Sequence, residues 1–170
     1  MGRLLDELAG AVEKKLGLKN LVIIGIRRRG GVLAERLKSL LQRRTKTEIP
    51  LGFLDISFYR DDFSSLGAHP IVGGTDILFD FSDKKLLLVD DVLYTGRTIR
   101  AALDALIDFG RPSVIRLLAL VDRGHREFPI QADFTGKFIK TNKPQMVEVH
   151  VKELDGCDEV VIVDRKRRET

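Results

Sequence analysis

The segment Leu86–Thr98, LLLVDDVLYTGRT, limits the possible folds more than any other stretch of the chain. An apolar run, Leu86 to Val89, ends in two adjacent carboxylates, Asp90 and Asp91. Thr95-Gly96-Arg97-Thr98 comes next. Ile99, Leu103, Leu106 and Ile107 then recur at three- and four-residue spacing, the period of one helix face. Gly110 and Pro112 stop that pattern. The order is buried strand, acidic tip, short glycine-containing loop, helix. In an open parallel sheet, ligands bind beyond the carboxyl ends of the strands.

This order also has a chemical meaning. A loop that feeds a helix N-terminus offers free N–H groups and the positive end of the helix dipole, which suits a phosphate. The hydroxyls of Thr95 and Thr98 add hydrogen bonds, and Gly96 lets the backbone come close. Two carboxylates beside an anion site would repel a bare phosphate. They suit a ligand that also carries vicinal hydroxyls or brings a divalent cation. A sugar phosphate with Mg²⁺ meets every part of this description. The phosphate loop G-x-x-x-x-G-K-[ST] is absent, and so is the dinucleotide fingerprint G-x-G-x-x-G.

A chain of 170 residues fits one domain with a real core, here residues 1–170. The single cysteine, Cys157, cannot form an internal disulfide, which fits a reducing compartment. No stretch is long and apolar enough for a membrane span, and the N-terminus lacks a signal-peptide core, so a cytoplasmic protein is expected. The net charge of +4 permits anionic ligands, RNA included, without requiring them.

Leu4, Leu5, Leu8, Val12 and Leu16 form the apolar stripe of a first, covering helix. Leu21 to Ile26 reads as a buried strand that ends at Arg27-Arg28-Arg29-Gly30-Gly31. A second helix is expected after those glycines. Arginines at a strand end, on the same edge as the acidic strand, are suited to clamp a diphosphate. Ile49 to Tyr59 reads as a strand, with Leu54, Ile56 and Phe58 alternating against polar residues. The loop from Phe63 to Gly74 is long enough to act as a lid, and Ile77 to Phe81 reads as a short returning strand. Val114 to Val121 is another apolar strand. The alternation of strands and helices predicts an α/β protein with a mostly parallel sheet flanked by helices. Asp133 to Phe138, Met146 to Val151 and Glu159 to Val163 then look like strands without intervening helices. They predict a small β-rich hood, mainly within residues 122–164.

The segment Leu86–Thr98 resembles the phosphoribosyl diphosphate (PRPP) signature of type I phosphoribosyltransferases. Tyr59-Arg60-Asp61-Asp62, the VDDVLYTGRT run, Gly110-Arg111-Pro112 and the stretch Leu120 to Glu127 narrow the resemblance to the PyrR family. Ala132-Asp133-Phe134 and Gly136-Lys137 match it too. That family comprises uracil phosphoribosyltransferases that in many bacteria also bind the mRNA leader of pyrimidine genes. The resemblance implies a type I phosphoribosyltransferase fold and the reaction of uracil with PRPP to give UMP and diphosphate, with Mg²⁺. Asp90 and Asp91 would hold the ribose hydroxyls and serve catalysis together with Arg60. The nucleotide site would comprise Arg28, Arg29, Asp90, Asp91, Val92, Leu93, Tyr94, Thr95, Gly96, Arg97 and Thr98. No direct protein metal site is implied. Mg²⁺ would arrive with PRPP, within reach of Asp90 and Asp91. Arg123 and Ile139 would read uracil, and His125 and Arg126 would touch RNA. By analogy with the family, a homodimer or larger homo-oligomer is expected. Purine-specific relatives carry an Asp immediately before the Thr-Gly pair, where this chain has Tyr94. The chain departs from the family at its N-terminus, at Gln131 and at Phe138-Ile139-Lys140-Thr141.

Overall fold

The computed structural model describes residues 1–45, 47–57, 59 and 74–164. Helix α1 (Gly2–Lys15) precedes strand β1 (Leu21–Ile26) and helix α2 (Arg29–Arg44). Strands β2 (Leu51–Leu54) and β3 (Lys85–Leu93) follow, then helix α3 (Arg97–Ile107) and strand β4 (Val114–Asp122). The chain continues through β5 (Phe134–Phe138), β6 (Gln145–His150), the short α4 (Lys152–Asp155) and β7 (Glu159–Asp164). Five strands form one sheet in the order β2-β1-β3-β4-β5, and every pairing in it is parallel. Strands β6 and β7 form a separate antiparallel pair.

The apolar runs become central strands because both faces of the sheet are covered. Side chains alternate between two cores. Ile23, Leu87, Val89, Leu118 and Leu120 pack with α1 and α2 on one face. Val22, Ile24, Leu86, Leu88, Leu117 and Ala119 pack with α3 on the other. The stripe of α1 buries Leu5, Leu8, Ala9 and Val12. Truncating one of these buried leucines to alanine costs about 2–5 kcal/mol. Among the described residues, no helix is long and apolar enough to cross a membrane.

Four expectations change. Strand β2 stops at Leu54 instead of running to Tyr59. Asp55 Oδ1 accepts the Ser57 N–H at 2.9 Å and the Ser57 hydroxyl at 2.5 Å, an Asx turn that replaces ladder bonds. Phe58, the last residue of the expected alternation, lies outside the described residues. The stretch from Ile77 to Phe81 forms no strand. Just before it, Phe53 and Asp76 form an isolated antiparallel bridge; Ile77 and Phe79 pack against the second core, and Phe81 plugs it with 1% exposure. Helix α2 begins at Arg29, ahead of the two glycines, because Gly31 packs against Gly25. Finally, Phe134–Phe138 is not a hood strand. It extends the parallel sheet beside β4, and the crossover between them, residues 123–133, contains no helix. A parallel pair is normally joined through a helix, so a strand that follows a loop reads as separate from the sheet.

Candidate active site

Because the five strands are parallel, the ends of β1, β3 and β4 meet at one edge. The chain leaves β1 for β2 on one side, while β3 and β4 add on the other. The site therefore lies at the switch point of the sheet, where such folds bind ligands. The basic Arg27-Arg28 step, a cis peptide, sits at the end of β1. Asp90 and Asp91 lie within β3 beside it, shortly before the strand's end at Leu93. Gly30 brings α2 against them: a Cβ there would lie 2.7 Å from the Val89 carbonyl oxygen and 3.5 Å from Asp90 Oδ1. Only a residue without a side chain permits this approach.

Asp90 is buried at 5% exposure, and its Oδ1 accepts the Asp91 N–H at 2.9 Å. Asp91 is half-buried, and its Oδ1 accepts the Val92 N–H at 2.9 Å. Both carboxylates are thus held by the backbone of the strand that carries them, which fixes where their remaining lone pairs point.

The loop from Tyr94 to Gly96 turns into α3. Gly96 has φ 92, in the left-handed region, and its carbonyl receives the Arg100 N–H at 2.9 Å. A cavity of about 240 Å³ is lined by Val92 to Ile99. Thr95 Oγ1 accepts the Arg97 N–H at 3.3 Å. The helix-free crossover braces the loop from outside. Glu127 and Phe128 donate N–H groups to the Thr95 carbonyl at 2.9 and 3.0 Å, and the Arg97 side chain pairs with Glu127 at 2.7 Å. The first-turn N–H groups of α3 face an anion-sized space with fixed walls.

A second, open cleft of about 810 Å³ lies beside Arg27, Arg28, Phe53, Asp55, Ser57 and Asp76. Arg28 is exposed, and its side chain has no hydrogen bond or ion pair among the described residues. Arg29 is different. Its guanidinium takes both oxygens of Asp155, on α4, at 2.7 and 3.1 Å. That pairing, followed by the Val151 N–H, lowers the Asp155 carboxyl to about 2. Arg36, farther along α2, pairs with Glu153 and Asp158, so one helix fastens the hood at two places.

Above the edge, Arg123 is 4% exposed and stacks over the Tyr94 ring, 3.9 Å from its centroid. Its guanidinium donates to Thr141 Oγ1 at 3.2 Å and to the Gln145 carbonyl. The Ile139 N–H reaches the Asp122 carbonyl at 2.8 Å. His125 Nε2 lies 2.7 Å from the Thr141 carbonyl oxygen. Arg126 donates to the carbonyls of Tyr94 and Ile130 at 2.7 and 2.8 Å and to Asp122 Oδ2 at 2.5 Å.

Residues 1–154 match the family described as "Phosphoribosyl transferase domain". The chain is 54% identical over 153 residues to the "Bifunctional protein PyrR" of Deinococcus radiodurans, covering 90% of this chain and 84% of the relative. It is 51% identical over 151 residues to the protein of the same name from Caldicellulosiruptor bescii, covering 89% and 83%. The chain belongs to the PyrR family. Its type I phosphoribosyltransferase fold is also seen in the hypoxanthine phosphoribosyltransferase of Trypanosoma cruzi, with a TM-score of 0.70, 18% identity, and coverage of 96% and 91%. A Bacillus anthracis hypoxanthine-guanine phosphoribosyltransferase gives a TM-score of 0.60 at 21% identity, with coverage of 82% and 78%.

Within this PyrR-family fold, Arg28, Asp90, Asp91 and the whole Val92–Thr98 stretch gather at one sheet edge, with Arg123 and Ile139 above it. Arg29 reaches the edge already engaged by Asp155. His125 and Arg126 turn their polar groups into the chain, where the sequence suggests outward contacts with RNA. Arg60 and the expected lid up to Gly73 lie outside the described residues. Asp122, Thr141 and Asp155 escape a reading of the sequence. Asp155 lies in a hydrophilic stretch remote from every motif, and nothing local marks it as the partner of Arg29.

Proposed function

We propose that the chain transfers the phosphoribosyl group of PRPP to uracil, giving UMP and diphosphate, and that it also controls pyrimidine genes by uridine-nucleotide-dependent binding to an mRNA leader. The observation that carries the enzymatic part is the placement of two backbone-anchored carboxylates between a phosphate-sized loop and the exposed cation Arg28. The 5′-phosphate occupies the Tyr94–Thr98 loop, the ribose hydroxyls meet Asp90 and Asp91, and the diphosphate extends towards Arg28.

In the reaction the bond from C1 to the diphosphate oxygen breaks and the bond from uracil N1 to C1 forms, with loss of the N1 proton. Positive charge develops on the ribose and negative charge on the leaving diphosphate. Asp90 and Asp91, in positions set before the reaction starts, favour the first charge, and Arg28 favours the second. Arg60 is assigned a catalytic role in this reading, in aid of the leaving diphosphate. The carboxylate oxygens of Asp90 and Asp91 are hard donors and fit Mg²⁺, which neutralises diphosphate charge when bound.

Uracil is read beside Ile139, with Arg123 holding the Tyr94 ring and the Thr141–Gln145 backbone that shape its pocket. Tyr94, pinned under the Arg123 guanidinium, occupies the position where a purine-handling Asp would stand. Arg126 serves the phosphate loop by holding the Tyr94 carbonyl, and it serves RNA by keeping the 123–133 crossover in shape. The family relation and the net charge of +4 support the RNA part. We place the protein in the cytoplasm as a homo-oligomer; the exposed apolar pair Val160 and Ile162, on one face of β7, supports the second part.

The test is an assay of uracil with PRPP and Mg²⁺, run beside hypoxanthine and orotate. UMP formed from uracil alone is the expected result. No turnover with any base, alongside measurable UMP binding, would overturn the enzymatic reading in favour of a sensing site. RNA binding strengthened by UMP and weakened steeply by salt is expected for the regulatory part.

A further inference from the structure

On the hood, three side chains of different chemistry converge. His150 and Glu159 are register partners across β6 and β7, and His150 Nδ1 lies 3.0 Å from Glu159 Oε1. Cys157, exposed in the turn that leads into β7, has its Sγ 3.5 Å from the same oxygen. All three donor atoms lie within 4.8 Å of one another. In a tetrahedral zinc site with bonds of about 2.1 Å, donor atoms sit about 3.4 Å apart, so this cluster is already near ligand spacing.

We propose that His150 Nδ1, Cys157 Sγ and Glu159 Oε1 bind a thiophilic divalent cation, Zn²⁺ or one of similar softness, with a fourth position open to water. The donor set of one imidazole, one thiolate and one carboxylate suits Zn²⁺ and does not suit Mg²⁺ or Ca²⁺, which take oxygen ligands.

A second observation concerns the other ring nitrogen. His150 Nε2 lies 3.5 Å from Glu148 Oε2, on the same strand. With Nδ1 on the metal, Nε2–H faces a carboxylate that fixes the tautomer and raises the basicity of the ligand, a common arrangement behind metal-bound histidines. The site is independent of the identity of the transferred base.

The experiment titrates Zn²⁺ into the reduced full-length protein against a chromophoric chelator, with Mg²⁺ present throughout. One zinc per chain is expected. Cys157→Ser and His150→Ala should each weaken binding at least about tenfold, and Glu148→Gln about tenfold. Co²⁺ in place of Zn²⁺ should produce a near-ultraviolet thiolate charge-transfer band that Cys157→Ser removes. Zinc affinity unchanged in both ligand variants, or a cobalt complex of the unaltered protein without that band, would overturn the proposal. The cobalt spectrum needs no variant, so misfolding of a mutant cannot hide the answer.

Discussion

Arg29 and Asp155 form a two-point ion pair, with Nη2 to Oδ1 at 2.7 Å and Nε to Oδ2 at 3.1 Å. It joins the first turn of α2 to the hood helix α4. Arg29 is therefore committed to holding the hood, while its neighbour Arg28 is exposed at the open cleft. The two arginines should respond differently to removal. Arg28→Ala is expected to raise the KM for PRPP about tenfold or more, the loss of one charge-assisted contact of about 1.5–3 kcal/mol. Arg29→Ala should act first on the hood, seen as faster amide hydrogen exchange in residues 145–164. An equal rise in KM for both, with unchanged exchange, would contradict this division.

The same pair predicts a pH dependence. Asp155 has its carboxyl lowered from an ordinary 3.8 to about 2 by Arg29 and then by the Val151 N–H. A group with a depressed folded-state pKa contributes stability above its unfolded value and loses it as pH falls through the folded one. The hood contact is therefore complete above about pH 4 and lost towards pH 2. A carboxyl carbon chemical-shift titration of Asp155 should show its midpoint near the lower value. In Arg29→Ala the midpoint should rise towards the ordinary one.

Gly96 opens α3 at φ 92, and a Cβ there would sit 3.1 Å from Phe128 Cβ. Gly96→Ala should cost about 1–3 kcal/mol through the left-handed backbone, measured by urea unfolding. It should also weaken UMP binding, because strain at Gly96 moves the N–H groups that surround the phosphate. Loss of stability with UMP affinity intact would show that the loop does not hold the phosphate.

Asp91→Asn keeps the shape of the side chain and removes its charge. If the carboxylates stabilise a cationic ribose, kcat should fall about a hundredfold or more while the melting temperature stays close to that of the unaltered protein. Steady-state kinetics with saturating PRPP decide the point. A change confined to KM would assign Asp91 to binding alone.

Arg126 satisfies a buried carboxylate, Asp122, and the carbonyls of Tyr94, Gly124 and Ile130 together. Arg126→Ala should destabilise the chain by about 2–4 kcal/mol, since removing one partner leaves the other charge uncompensated in a poorly solvated place. A loss below about 0.5 kcal/mol, the range of an ordinary surface substitution, would show that the contacts carry no weight.

The sequence reveals the site edge far better than what surrounds it. Leu86 to Val89 is readable because a strand covered on both faces is continuously apolar, and Thr95 to Thr98 because a phosphate loop has few chemical solutions. The glycines at positions 30 and 31 are visible, but their reason is not, since it lies in the Val89 carbonyl and Gly25 on neighbouring strands. Arg126 looks like a surface cation beside His125. Its inward turn depends on a tertiary arrangement that brings Asp122, Tyr94 and Ile130 around one guanidinium. The hood contacts of Arg29 and Arg36 are long-range pairs of charged residues, and charge alone names no partner.

Helix α1 packs against α2 and also against β5, where Leu4 lies 3.1 Å from the position a Cβ would take on Gly136. The first element of the chain thus leans on the last strand of the main sheet. During synthesis the ribosome releases α1 long before β5 exists, so its apolar stripe must wait, half-matched on α2, until the strand emerges. The sheet can grow outward from β1 in the meantime, but its last strand is covered only when β5 meets a helix made much earlier.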